Sequence, residues 1–487
     1  MSETRFNPWW ALAVVCMGQF MVILDATVTN VALPSIQADL GISDSSLQWI
    51  VNAYTLLFGG FLLLGGRAAD LIGRRTLFLA GVTLFSLASL ACALAPSEEF
   101  LIVSRGLQGL GGALLSPAAL AVITTSFAEG PDRTKALSVW AAIATGGSAA
   151  GLLLGGVITE ALSWEWVFLI NVPVGIGIAL AALRLVPNTR THAHGRHFDL
   201  AGAISVTAGL VVLVYAIVKA EAWGWGSTET LGLAGVALGL LALFVLIERR
   251  SPAPLVRLSL LRMRSLASAN AILLVTIGGM FAMFFFISLY MQNILGYTAL
   301  ETGFAFLPVT LSMLVGATIA QQLISRIGVR TVMAGGLAIG AAGMATLAAL
   351  TAVDGNYLRV LAGLVPIAVG MGMAFVSATL VATTGVDRDD AGLASGLFNT
   401  SQQIGGALGL AVLSTLANDR ATGILADLGA LPTVAQQQAA MVDGFQLAFG
   451  IAAGLLATGA IMVVALLRRR HVERIDAGEA EAVPVAA

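Results

Sequence analysis

The chain has 487 residues, 58% of them hydrophobic and 11% charged, with a formal net charge of −2. An ordinary soluble domain carries roughly 25% charged residues, so this composition excludes a fold wetted on all sides and gives an all-α integral membrane protein. Two cysteines, Cys16 and Cys92, fall inside apolar runs, where they read as small core residues rather than a disulfide.

Apolar runs of about twenty residues recur along the chain, each long enough as a helix to cross ~30 Å of hydrocarbon. Fourteen transmembrane helices are expected, at about 9–33, 47–69, 76–95, 101–126, 135–159, 164–186, 198–219, 228–248, 265–292, 300–324, 330–352, 357–382, 391–417 and 443–468. The first is too long for a cleavable signal and leads straight into the second without a small-residue cleavage site, so it stays in the membrane. With both termini inside, 21 of the 25 Lys and Arg fall in inside segments, three fall outside (Lys219, Arg359, Arg420), and Arg105 lies within a span. Miscounting by one helix would destroy this asymmetry, so it supports the count and a multi-pass arrangement in the cell membrane with both termini cytoplasmic.

Span one holds Asp25 within "FMVILDATVTNVALPSI", an ionisable group that is costly there unless protonated, paired or wetted. Asp25 lies about eight residues, or ~12 Å, before the outer end near Leu33. Span four contains "RGLQGLGGA", which puts Arg105 about six residues, or ~9 Å, below its outer end near Glu99. The depths agree, so the two charges can compensate one another across a shared cavity, directly or through water; a static buried ion pair is the alternative.

Between spans two and three, "GGRAADLIGRR" supplies Gly66, Asp70, Gly73, Arg74 and Arg75. The glycines suit a tight turn, the arginines face an anionic inner leaflet, and Asp70 can accept from a helix N-terminus. A solvated turn with orienting charges would explain the same residues. In span five, Gly147, Gly151 and Gly155 line one helical face, with Gly156 beside them, and such spacing lets two helices approach closely. Span nine offers the apolar wall "MFAMFFFISLYMQN", with Phe285 and Tyr290, and span thirteen offers the amides Asn399 and Gln402. With Gln108 of span four these are the candidate substrate-cavity residues, lipid contact being the other reading of the aromatics.

All four histidines fall in inside segments, there is no Cys/His metal cluster, and neither a phosphate-binding loop nor a nucleophile elbow occurs, so no metal site and no enzyme is expected. "ADLIGRRTLF" at 69–78 recurs as "ISRIGVRTVM" at 324–333, Arg105 and Gly109 recur as Arg359 and Gly363, and Gly151 and Gly155 recur as Gly405 and Gly409. Three matches in order argue for duplication: an N-terminal six-helix bundle at 1–190, two inserted helices at 191–262, a C-terminal six-helix bundle at 263–470, and a disordered tail at 471–487. Repeated halves around a central cavity are a common architecture of secondary transporters.

The loop at 65–75 resembles that between helices two and three of the major facilitator superfamily, with Gly66, Ala69, Asp70, Gly73, Arg74 and Arg75 matching and Ala68 and Leu71 departing. Together with "LDATVTNVALP", "WEWVFLINVPVG" and "LYMQNILGYTALETGFAFLP", the whole chain resembles the fourteen-helix drug:proton antiporter branch. The resemblance implies that the loop is a cytoplasmic latch between the halves and that Gly151 to Gly156 are the antiporter motif, with Leu152 where a proline is expected. It also implies that Arg105, Gln108, Gly109 and Gly111 form the proton-transfer motif, with Asp25 as the titrating carboxylate. The function so implied is proton-coupled export of amphipathic drugs, antibiotics or related lipophilic metabolites by alternating access. It needs no cofactor beyond the proton gradient, and its partners are a small lipophilic or cationic substrate, protons and lipid. Nucleic acid is not a partner, the working unit is a monomer, and an adaptor protein would join it in a Gram-negative cell. A dedicated exporter of one endogenous metabolite or siderophore is the alternative within transport, and a non-transporting membrane sensor the alternative outside it.

Overall fold

A computed structural model describes residues 7–127, 131–187, 199–251, 254–255, 263–383, 391–428 and 432–467, and every element among them is helical. In chain order these are α1 (Pro8–Leu40), α2 (Asp44–Ile72), α3 (Arg74–Ala93), α4 (Glu98–Ser126), α5 (Pro131–Ala161), α6 (Glu165–Leu169), α7 (Asn171–Leu185), α8 (Leu200–Trp223) and α9 (Thr228–Arg250). There follow α10 (Arg264–Leu289) with a π-helical turn (Tyr290–Ile294), α11 (Ala299–Ala305), α12 (Leu307–Ile327), α13 (Val329–Leu350), α14 (Tyr357–Thr383), α15 (Ala391–Asp427) and α16 (Val434–Leu466). Their starts obey local chemistry. Asn7, Ser43, Ser97, Asp199 and Ser227 each accept a backbone N–H of the first turn, and Thr298 with Glu301 and Thr433 with Gln436 form capping boxes.

Among the described residues, twelve helical segments are long and apolar enough to cross a membrane. The fifth and thirteenth expected spans are helical as α5 and α15, with 31 and 37 residues, but are not among the twelve. In α15 the run Asn399-Thr400-Ser401-Gln402-Gln403 dilutes the apolar character. Two expected spans carry a one-residue break in the helical hydrogen-bond pattern while the backbone stays right-handed: the sixth is α6 and α7 with the break at Ile170, and the tenth is α11 and α12 with the break at Phe306, just before Pro308. The thirteenth and fourteenth run well past their expected ends, so much of 418–442 is helix rather than loop. Residues 191–198 and the tail expected to be disordered lie outside the described residues.

The duplication is visible as shared devices. Gly73 and Gly328 both take a positive φ, 107° and 83°, where α2 turns into α3 and α12 into α13. Two residues on, Arg75 donates to the Leu183 and Val186 carbonyls at the end of α7 (3.4 and 3.5 Å), and Arg330 donates to the Val464 carbonyl of α16 (2.5 Å). These carbonyls lie at the C-terminal ends of their helices, so each arginine ties the third helix of its half to the sixth. Gly81 faces the α4 backbone at Leu115, and Gly336 faces the α14 backbone at Gly370.

Helix α2 packs along α15, with Gly59 against Gln403 and Gly396 against Leu63. Helix α8 covers this seam: Leu210, Val214 and Val218 cluster with Leu56 of α2 and with Ala407 and Ala411 of α15. At the end holding Val31, Leu152, Ile158, Phe285 and Ala299, the apolar cores of both halves merge into one. At the opposite end the N-terminal half keeps its own cluster, around Phe78, Phe85, Leu115 and Trp140.

A methyl group on Gly81 would sit 2.6 Å from the Leu115 amide nitrogen, whereas one on Gly239 of α9 meets nothing within 4 Å. Gly81→Val is therefore expected to lower stability by at least about 1–3 kcal/mol, and Gly239→Ala to raise it by roughly 0.5–1 kcal/mol. Melting of the purified protein in detergent, followed by size-exclusion chromatography, checks both.

Candidate functional site

Asp25 lies on the fifth turn of α1 and is fully buried (0% exposed). Burying one charge alone costs several kcal/mol, and the sequence around it supplies the compensation from four other helices. Arg105 of α4, 1% exposed, donates from Nη1 to Asp25 Oδ2 at 2.6 Å. Gln108, one turn further along α4, donates from Nε2 to Asp25 Oδ1 at 2.6 Å, and Asn171, the first residue of α7, donates from Nδ2 to the same oxygen at 2.9 Å. Ser89 of α3 stands behind them, its hydroxyl accepting from Gln108 (2.6 Å) and Asn171 (3.1 Å).

The guanidinium is held as firmly as the carboxylate. Arg105 Nη1 also donates to Gln108 Oε1 at 2.6 Å and Nε to the Ile50 carbonyl at 3.0 Å. The Tyr54 ring of α2 covers it, with Cζ 4.4 Å from the centroid, and the Phe168 ring of α6 lies at 5.6 Å. Cys92 completes the shell, its thiol 3.8 Å from Gln108 Oε1. The ion pair is thus wrapped in charge-assisted bonds and aromatic faces and is almost wholly shielded from solvent.

The geometry brings together Asp25, Arg105 and Gln108, which the sequence singled out, and adds Ser89, Asn171 and Tyr54, which it did not. Asn171 had a signal available: it is the lone amide of the apolar stretch "VFLINVPVG". In the second half the counterpart of Arg105, Arg359, is exposed and 3.8 Å from the exposed Asp354. Among the described residues of that half, no buried ion pair corresponds to it.

The profile of the Major Facilitator Superfamily matches residues 15–410. The chain belongs to this superfamily. It is a multi-pass membrane transporter of small molecules. Among its relatives, puromycin resistance protein pur8 of Streptomyces alboniger is 40% identical, over 98% of this chain and 94% of that protein. The cephamycin export protein CmcT of Amycolatopsis lactamdurans is 43% identical, over 86% and 87% respectively. Multidrug transporter protein MdtP of Bacillus subtilis is 32% identical, over 88% and 80%. A solved bacterial homologue of the human lysosomal transporter Spinster has the same fold, with a TM-score of 0.66 at 16% identity over 97% of this chain and 99% of that one.

The other residues singled out in the sequence are placed as follows. Gly147, Gly151 and Gly155 of α5 face Ile23, Leu24, Thr27 and Val28 of α1. Gly405 and Gly409 of α15 face Leu274, Ile277 and Gly278 of α10 in the same way, so close packing at these positions is common to both halves. Gly156 instead faces the other half: a methyl there would lie 2.6 Å from the Ala299 carbonyl oxygen of α11, and Gly303 of α11 is equally close to the Leu152 carbonyl. In the turn between α2 and α3, Gly73 takes the left-handed conformation, Arg74 opens α3 and Arg75 binds the end of α7. The side chain of Asp70 lies outside the described residues. Gly66 makes ordinary contact with Pro117, and the tight approach to α4 belongs to its neighbour Gly65, opposite the Ala113 carbonyl.

Of the candidate cavity residues, Gln108 is part of the Asp25 cluster. Phe285 is buried edge-on against Phe286 at 5.4 Å, and Tyr290 is buried with its hydroxyl donating to the Ala352 carbonyl at 2.7 Å. Asn399 and Gln402 are half-buried on α15, and the Gln402 amide nitrogen has no hydrogen-bond partner among the described residues. The structure does not bring these four to the Asp25 cluster.

Removing one partner of a buried ion pair strands the other. Arg105→Ala is expected to cost about 3–5 kcal/mol, and the Asp25→Asn, Arg105→Ala double variant less than the sum of the singles. Detergent melting of the four members of the cycle reads the coupling, and additive effects would contradict a direct pair.

Proposed function

We propose that this chain is a proton-coupled exporter of amphipathic antibiotics or related lipophilic metabolites, with Asp25 as the proton carrier. The observation that carries the reading is the Asp25 cluster, a buried carboxylate held by Arg105, Gln108 and Asn171 in a membrane transporter. Ionisable groups inside a membrane are functional by default, and relatives named for puromycin resistance and cephamycin export supply the substrate class.

In this reading both termini are cytoplasmic, on the strength of the basic-residue asymmetry. The end where the two cores merge is then the outer one, so this conformer is closed to the outside. The halves at 1–190 and 263–470 rock against each other, carrying the inserted pair at 191–262, and the turn at Gly73 to Arg75 latches the cytoplasmic side when the cavity faces out. A proton reaching Asp25 removes the negative charge facing Arg105 and puts a donor where N–H groups already point. The contacts around the carboxylate must then rearrange, which couples protonation to conformation. One proton crossing 100 mV delivers ~2.3 kcal/mol, enough for roughly fifty-fold accumulation at ~1.4 kcal/mol per decade.

A narrow exporter of one metabolite is the second reading, favoured by the single compounds after which pur8 and CmcT are named. Resistance profiles against a panel of compounds in a pump-deficient host separate broad from narrow range.

Asp25→Asn keeps the volume and hydrogen-bonding capacity of the side chain but fixes the site neutral. The variant is expected to reach the membrane and to lose uptake driven by a pH gradient in inverted vesicles. Undiminished gradient-driven uptake of puromycin by this variant would end the proposal that Asp25 carries the proton.

A further inference from the structure

Two amides stand over the same carboxylate oxygen, and their other ends differ. The Gln108 and Asn171 NH2 groups each bridge Asp25 Oδ1 and the Ser89 hydroxyl, at 2.6 and 2.6 Å for Gln108 and at 2.9 and 3.1 Å for Asn171. Each NH2 has two hydrogens, so each can serve both oxygens at once. Gln108 is pinned at its carbonyl end, where Arg105 Nη1 donates at 2.6 Å. Turning it over would press an NH2 against the guanidinium. Among the described residues no donor reaches the Asn171 carbonyl oxygen, so only its two NH2 contacts, to Asp25 and Ser89, hold it in place.

A carboxylate accepts only, whereas a carboxylic acid must also donate. A proton on Oδ2 faces Arg105, and a proton on Oδ1 faces two N–H groups, so the present arrangement holds no acceptor for it. A half-turn of the Asn171 amide about Cβ–Cγ exchanges Nδ2 for Oδ1 and creates that acceptor. Ser89, whose hydroxyl accepts from Asn171 in one arrangement, donates to it in the other. We propose that Asn171 is the positioning residue that lets Asp25 hold a proton, donating to the carboxylate and, after the half-turn, accepting from the acid, with Ser89 reversing roles beside it. The inference rests on Asp25 as proton carrier and adds the group that accommodates the proton.

The neighbours on every packed element suit this exchange. The titratable or charged groups facing Asp25 are Arg105 of α4, Tyr54 of α2 and Cys92 of α3, with the uncharged Ser89, Gln108 and Asn171 between them. None of the three titratable groups offers a ready acceptor: Tyr54 lays its ring on Arg105, the Cys92 thiol faces Gln108, and Arg105 only donates. Asn171 also opens α7 directly after the break at Ile170, and Phe168 on the other side of that break faces Arg105. A turn of the amide therefore acts beside this one-residue irregularity of the sixth span.

Infrared difference spectroscopy of the purified full-length protein between acidic and neutral pH tests this, with the protonated-carboxyl C=O band of Asp25 assigned by its loss in Asp25→Asn. In the wild type an Asn amide C=O band is expected to change together with it. In Asn171→Leu the Asp25 band is expected to move up in frequency, since the acid has lost its acceptor, and gradient-driven uptake of puromycin to fall by about tenfold. Asn171→Ser, which keeps one group able to donate and accept, is expected to restore part of both, and Ser89→Ala to lower uptake with a smaller change in the band. Should Asn171→Leu not fold, the coupled amide change in the wild type and the Asn171→Ser spectrum carry the test. An Asp25 band at the same frequency in wild type and both Asn171 variants would overturn the role of Asn171 alone. The lack of any Asp25-dependent band in the wild type would overturn the carrier, and this inference with it.

Discussion

The placement of Asp25 against Arg105 is the constraint around which the N-terminal half is organised. Neither charge is tolerable alone in hydrocarbon, and at 2.6 Å with both partners essentially unexposed each is the other's main compensation. Satisfying the remaining oxygens and N–H groups draws in Gln108 from the same helix as Arg105, Ser89 from α3, Asn171 from α7 and the Ile50 carbonyl from α2. Four helices are thus registered against α1 by one ion pair. A shift of one helix by a single turn, 5.4 Å, would leave at least one buried polar group unmade.

Around that fixed point the packing is made by absence of side chains. Gly151 and Gly155 let α5 lie on α1, Gly405 and Gly409 let α15 lie on α10, and Gly156 with Gly303 lets α5 meet α11 across the two halves. Within membranes helices gain little from apolar burial against one another, so close backbone approach and dispersion supply much of the contact energy. Among its described residues the C-terminal half repeats this framework without a buried charge pair. Its Arg359 sits at the surface beside Asp354, so the two repeats share a scaffold and differ in chemistry.

Much of this could be read from the chain. Hydrophobic runs located the spans because hydrocarbon thickness fixes helix length, and the fixed rise of a helix put Asp25 and Arg105 at one depth before any contact was known. Ser89, Asn171 and Tyr54 escaped notice because a serine, an asparagine or a tyrosine inside a span carries no charge to flag it; only the fold turns them toward Asp25. The breaks at Ile170 and Phe306 were invisible for another reason: an apolar run looks the same whether its helix is straight or interrupted. Phe285 and Tyr290 stood out for aromatic bulk, yet aromatic bulk suits a packed core equally well, and that is where both reside.

Helix α15 has a mechanical consequence. Its 37 residues make a rod about 55 Å long, well beyond the ~30 Å thickness of a hydrocarbon core. Gly59 and Leu63 of α2 touch it near one third of its length, at Gln403 and Gly396, so this contact can act as a fulcrum with one short arm and one long. A tilt of a few degrees there carries the long arm, on which Arg420 grips Asp443 of α16 at 2.6 Å, through about 2 Å. Small rearrangements at membrane depth would thus reach the water as larger displacements, with α16 towed along.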